Sequence, residues 1–254
     1  MSATAVWTFP EWLRLREPAD AEARSGELVD ELRRHLPAAG PLVIHDLGGG
    51  SGAMGRWLAP RLPQPQHWVV HDRDEDLLAL AVADPPPGVT VEARCDDISR
   101  LAPEALAGAD LVVASALLDM LTADELRRML GACSGHRILI AMTVTGRVSF
   151  APPEPLDVPL SVAFNAHQRR DGRLGPDAVP AALDALGGEV LVRPSPWHLG
   201  ADHAELMTAW FGGWVDAACE KEPELASEAG PYRDRRLAQA HEATVEHADL
   251  LVLP

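Results

Sequence analysis

The chain has 254 residues, 47% of them apolar, and a formal net charge of −16. That apolar content suffices for one domain with elaborations or for two small ones. The acidity argues against nucleic-acid and anionic-membrane partners, both of which call for a cationic face, and no apolar run approaches the roughly 18 residues of a membrane span.

Three cysteines, Cys95, Cys133 and Cys219, lie far apart and form no CxxC pair. This suits a reducing, cytoplasmic setting and supplies neither a disulfide framework nor a metal site. The opening MSATAVWTFPEW lacks a basic region followed by an apolar core, so no signal peptide is expected.

Residues 20–36 read as a surface helix, stopped by LPAAGP. LVIHDL (42–47) is a buried strand leading into a glycine turn, and SGAMGRWLAPRL (51–62) is helical as far as Pro60. HWVVHD (67–72), VTVEARC (89–95), ADLVVASAL (109–117) and HRILIAMTV (136–144) are further strands. EDLLALAVA (75–83), LAPEALA and TADELRRMLGA supply helices between them. Such alternation implies right-handed crossovers and a parallel sheet. From 149 to 175 the proline-rich sequence reads as a long connection. A helix, PDAVPAALDALG, and a sixth strand, GEVLVRPSPW, follow it. Residues 202–219 carry an apolar stripe at helical spacing (Leu206, Trp210, Trp214), which reads as core packing. A polar helix over 232–246 and a last strand, ADLLVLP, close the chain.

Asp46, Gly48, Gly49, Gly50 and Gly52 stand between the first strand and its helix. Glycines let a ligand lie against the backbone, and the N–H groups of such a turn point at it. Asp72 ends the second strand, where a carboxylate can accept both hydroxyls of a ribose. Asp96 and Asp97 end the third, where an acid can meet an adenine amino group. The acid ahead of the glycines repels a pyrophosphate and attracts an ammonium group. The ligand expected is therefore an adenosine carrying an amino-acid tail, not a dinucleotide.

HDLGGGSG, VVHDRDEDLL, CDDI and ADLVVASALLDML, in that order, resemble the successive motifs of class I S-adenosylmethionine-dependent methyltransferases over residues 40–145. The resemblance implies an α/β, Rossmann-like doubly wound sheet of seven strands, the last antiparallel, with S-adenosylmethionine as cofactor. By motif, Asp46 and the glycines border the methionine part and Asp72 holds the ribose. Asp96 or Asp97, with Ile98, flanks the adenine, and Ser115 and Ala116 lie near the sulfonium. The doubled acid leaves open which aspartate faces the base, and Arg73 stands where an apolar residue is common. Residues 202–247 resemble the helical cap of some bacterial small-molecule methyltransferases. The implied division is an N-terminal cap segment (1–39), a core (40–201), a helical insert (202–247) and a final core strand (248–254).

Methyl transfer from a sulfonium needs alignment and exclusion of water, and a base only when the acceptor must lose a proton. Asp119, just beyond the fourth strand, and His167 are the candidates for that base. Asn165, Gln168 and Arg169 are candidates for holding the acceptor, and no metal is expected. Asp119 reads equally as a helix-cap residue. Arg16, Asp20 and Arg24 share a face only if one helix runs through Pro18, which proline disfavours. The expected activity is methyl transfer to O, N or C of a small metabolite by a monomer or homodimer. The rivals are another reaction on the same fold, a non-catalytic methyltransferase partner, and a nicotinamide oxidoreductase.

Overall fold

Leu42, Ile44 and Leu47 make β1 (Leu42–Leu47) an almost wholly buried strand, as the centre of a parallel sheet requires. In the computed structural model, which describes residues 7–37, 40–239 and 242–254, two helices precede it. These are α1 (Phe9–Ala23) and α2 (Gly26–His35). Residues 1–6 of the expected N-terminal segment, 38–39 of its expected break, and 240–241 lie outside the described residues. There follow α3 (Ala53–Leu58), β2 (Gln66–Asp72), α4 (Glu75–Ala83), β3 (Val89–Cys95), β4 (Leu111–Ser115) and α5 (Ala123–Ala132). Next come β5 (Ile138–Ala151), α6 (Asp157–Gln168), α7 (Ala178–Ala185), β6 (Glu189–Pro194) and β7 (Trp197–Leu199). The chain ends with α8 (Ala204–Lys221), α9 (Ala226–Ala238) and β8 (Glu242–Leu253).

The strand order is β3-β2-β1-β4-β5-β8-β6. The first five strands are parallel, and β8 runs antiparallel between β5 and β6. The expected doubly wound sheet with an antiparallel last strand is therefore present. One short strand is added to it: Ser195 and Pro196 break the expected sixth strand, and Trp197–Leu199 pairs separately with β8.

Three differences from the sequence reading shape the site. The helix expected over 20–36 is two helices, because Ser25 begins a new one by accepting the Leu28 N–H. Its N-terminal half runs straight through Pro18. Proline deletes only the bond to residue 14, and the burial of Ala19 and Asp20 just beyond it holds the helix. The connection expected over 149–175 is instead the end of a long β5 followed by α6, since Pro159 sits in a first turn where the missing N–H has no partner to lose. Finally, β8 starts at Glu242, so the helices of the cap end before the 247 boundary expected for them.

Ion pairs and buried polar groups join the outer helices to one another and to the sheet. Arg236 Nη2 of α9 donates to both oxygens of Asp157 on α6, at 2.6 and 2.8 Å, and Tyr232 donates to the same carboxylate. Arg56 of α3 grips Glu17 of α1 at 2.7 and 2.8 Å. Asp249 on β8 accepts from Ser25 N, Met142 N and Ser195 Oγ, and so ties together the start of α2, β5 and the break before β7.

Candidate functional site

The carboxyl ends of β1, β2, β4 and β5, with the loop after β3, open into a cavity of about 810 Å³ roofed by α1, α6 and α8. Ligands of open α/β sheets bind along this edge. Ala116, just past the end of β4, and Met142, within the neighbouring β5, have φ of 51° and 57°. Backbone strain of this kind in non-glycine residues concentrates at functional sites.

On one side lies the glycine turn. A Cβ on Gly49 would come within 2.7 Å of the Asp46 carboxylate and of Val70, so only glycine lets the loop fold onto β1. Gly50 has φ of 52°, and its N–H donates to Asp72 Oδ2 at 2.9 Å, while Asp72 Oδ1 accepts from Asp74 N. Gly48, Gly49 and Gly50 line the cavity. Gly52 does not; it starts α3, and a Cβ there would press on Ala81 at 3.2 Å, so its part is packing rather than the expected ligand contact.

Asp46 is fully buried at the cavity wall, and neither carboxylate oxygen has a hydrogen-bond partner. Burial pushes its pKa up to about 7, although the guanidinium of Arg24 pulls the other way. Arg24 is itself buried in the same wall. Its Nη2 donates to Ser115 Oγ at 3.1 Å, while Nε and Nη1 have no partner. Buried charged groups with unmet hydrogen-bonding capacity are expensive, so the Asp46 carboxylate and the unbonded nitrogens of Arg24 are suited to a ligand that brings both an ammonium and a carboxylate. Sequence reading stopped at Asp46. The signal for Arg24 was present in the four-residue spacing of Arg16, Asp20 and Arg24, which Pro18 made doubtful.

Asp72, Arg73, Asp96, Asp97, Ile98, Ser115 and Ala116 all border the cavity. The two neighbouring acids differ in their bonds. Asp97 accepts from Ser99 N at 3.0 Å and Ser99 Oγ at 2.7 Å, capping a single helical turn, and those bonds hold its carboxyl below the usual range. Asp96 accepts instead from the ring of His71.

The opposite wall is aromatic. Trp12, Phe164, Trp197 and Trp210 line it, and Asn165 and Gln168 lie beside them. Trp197 donates to Asp20 at 2.9 Å, Asp20 is gripped by Arg16, and the Arg16 guanidinium lies over the Trp197 ring at 5.0 Å. The apolar stripe of the 202–219 helix thus divides. Trp214 is core, 1% exposed, whereas Trp210 faces the cavity. Asp119 also borders the cavity, and burial raises its pKa.

His167 and Arg169 fall outside the cavity wall. His167 lies on α6 facing α8, with Nε2 3.2 Å from Glu220 and Nδ1 against Arg170, so the expected base is turned to other partners. Arg169 forks onto Asp177 at 2.6 and 2.9 Å on the surface, and so is not free for an acceptor. Both follow from α6 being a helix rather than a loop: Asn165 and Gln168 lie three apart on one face, and His167 and Arg169 point elsewhere.

Residues 44–136 match a family model described as a methyltransferase domain. No curated protein matches the chain. Among solved structures it is similar to the plantazolicin methyltransferase BpumL in complex with S-adenosylhomocysteine: 11% identity over 95% of this chain and 86% of that one, TM-score 0.48. It is similar also to a putative methyltransferase from Bacillus halodurans C-125: 17% identity, 89% and 97% of the two chains, TM-score 0.48. A third is the cyclopropane synthase MmaA2 from Mycobacterium tuberculosis: 12% identity, 95% and 93%, TM-score 0.49.

The match to the family model covers less than half of the chain and likens residues 44–136 to a methyltransferase domain.

Proposed function

We propose that this protein methylates an oxygen, nitrogen or carbon atom of a small molecule enclosed beneath α1, α6 and α8. The observation that carries the reading is the continuity of one cavity from the glycine turn to the aromatic wall. An enclosed site with apolar walls and few polar groups is the usual berth of a small ligand. Among the described residues no helix is long and apolar enough to cross a membrane.

When bound, S-adenosylmethionine, the cofactor this reading implies, would supply an electrophilic methyl group on a sulfonium. Asp46 takes the ammonium of its amino-acid end and Arg24 the carboxylate. Gly48, Gly49 and Gly50 let that end lie against bare backbone, and Asp72 accepts from the ribose hydroxyls. Ser115 and Ala116 set the floor under the reacting centre. Trp12, Phe164, Trp197 and Trp210 hold the acceptor and exclude water, while Asn165 and Gln168 orient it. Alignment of this kind supplies roughly 7–11 kcal/mol of a displacement barrier. Asp119 receives the proton when the acceptor atom must lose one. Its raised pKa matches that task better than an exposed carboxylate would.

Incubation with S-adenosylmethionine carrying a tritiated methyl group, in a cell extract split by size, tests the reading. Label should enter the fraction below about 1 kDa, the scale of ligands that such cavities enclose. Label confined to protein or nucleic acid would rule out a small-molecule acceptor.

A further inference from the structure

Behind the row of acids lies a buried chain of two histidines. His45 on β1 and His71 on β2 stack with ring centroids 5.1 Å apart and planes 27° apart. His45 Nδ1 lies 2.9 Å from His71 Nε2, and His71 Nδ1 lies 3.0 and 3.2 Å from the two oxygens of Asp96. His71 has no exposure at all, and His45 is nearly as buried. Burial holds His45 well below the usual histidine range, at about 4, so it is neutral at pH 7. An ionised carboxylate can only accept. His71 therefore donates from Nδ1 to Asp96, and between His71 Nε2 and His45 Nδ1 one nitrogen donates to the other. The outer end of the chain is the carboxylate, whose side chain is 37% exposed and faces the cavity. The Asp96 N–H donates to the carbonyl of Asp72 at 3.0 Å, which puts Asp96 directly beside the proposed ribose acceptor.

We infer that His45 and His71 are positioning residues that fix Asp96, not Asp97, as the acceptor for the exocyclic amino group of the cofactor's adenine. The inference rests on the cofactor placement proposed above. It settles the two acids by what each is already bonded to. Asp97 Oδ1 accepts both bonds of the Ser99 turn, and its Oδ2 lies 3.5 Å from Arg100 Nε. Asp96 is held from behind by one imidazole, with its remaining lone pairs directed to the cavity. The relay makes no contact with the ligand; it fixes the angle and charge of the one carboxylate that does. Among the described residues the two buried imidazoles bond to each other and to Asp96, and packing alone does not call for them, since apolar residues of that size pack as well without the cost of desolvation.

Calorimetric titration with S-adenosylhomocysteine and with its inosine analogue, in which a keto oxygen replaces the amino group, separates this role from general support of the fold. The wild-type protein should prefer the adenine ligand by at least about tenfold, the worth of one hydrogen bond to a charged group. His71→Phe should bring the two affinities within about twofold, as should Asp96→Asn, because the carboxylate is then either unanchored or absent. His71→Asn keeps a donor near the Nδ1 position and should restore most of the preference. Asp97→Ala should keep all of it. Should His71→Phe not fold, His45→Phe, which leaves the Asp96 bond in place, should give an intermediate preference. A folded His71→Phe protein with the wild-type preference would overturn the relay, and so would loss of preference in Asp97→Ala with retention in Asp96→Asn. A wild-type protein that binds neither ligand would instead strike the cofactor placement, and the relay with it.

Discussion

The two sides of the cavity are built by different means. The side proposed for the cofactor is made of strand ends and the turns that leave them, so each polar group is tied to its neighbour by short backbone bonds: Gly50 to Asp72, Asp72 to Asp74, Asp96 to Asp72. The side proposed for the acceptor is made of faces of α1, α6 and α8, three distant parts of the chain, with Trp197 of β7 between them. The first kind of site is written locally, as residue types at fixed offsets from a strand. The second depends on how helices pack, and no run of residues states it.

That contrast accounts for what the sequence disclosed. The bounds of β1, α4 and β3 were legible to the residue, because apolar runs there end at glycine, proline or aspartate. The acids at the strand ends were legible for the same reason. The helix α6 was not, because three prolines at 152, 153 and 155 masked the apolar spacing that follows them. His167 and Arg169 were chosen by residue type in a supposed loop, and a helix turns both away from the cavity. Trp210 was absorbed into a core stripe whose other members, Leu206 and Trp214, are buried, whereas its own ring borders the cavity. Arg24 was reachable by spacing alone, but a proline rule that holds for isolated helices gave way here to tertiary packing.

Substitutions can break the comparison. The largest effect is expected on the cofactor side. Asp72→Ala removes an acceptor for the ribose and unties Gly50 and Asp74, and should weaken S-adenosylhomocysteine at least about 100-fold. Unchanged affinity by calorimetry would show that the second strand end does not carry the ribose.

The acceptor side should respond in turnover rather than in cofactor affinity. Asp119→Asn should lower kcat by about 10²-fold for an acceptor that loses a proton, the lower range for general-base catalysis. His167→Ala should leave turnover near the wild-type value, since its ring is engaged with Glu220 and Arg170. The opposite ranking of the two variants in a steady-state assay would return the role of base to the histidine.

The smallest effect is one of pH and sharpens the account of Asp46. With a pKa near 7 in the ligand-free protein, most of its charge is lost by pH 6. Affinity for an ammonium-bearing ligand should therefore fall about eightfold between pH 7.5 and pH 6. Stability should move the other way. The folded-state pKa lies above the ordinary 3.8, so protonation favours the folded protein, and that contribution is lost as pH rises through about 7. Thermal melts of the ligand-free protein should show this loss, and S-adenosylhomocysteine should reduce it by giving the ionised carboxylate a partner. An affinity that is flat across this range would mean that Asp46 does not meet the ammonium.

The most direct test of the central claim compares S-adenosylhomocysteine with 5′-methylthioadenosine, which keeps the nucleoside and sulfur but lacks the amino-acid end. The buried Asp46 carboxylate, without a hydrogen-bond partner among the described residues, and the unbonded Nε and Nη1 of Arg24 predict that the intact ligand binds at least about 100-fold more tightly, and that Arg24→Met removes most of the difference. Equal affinities for the two ligands would contradict the account.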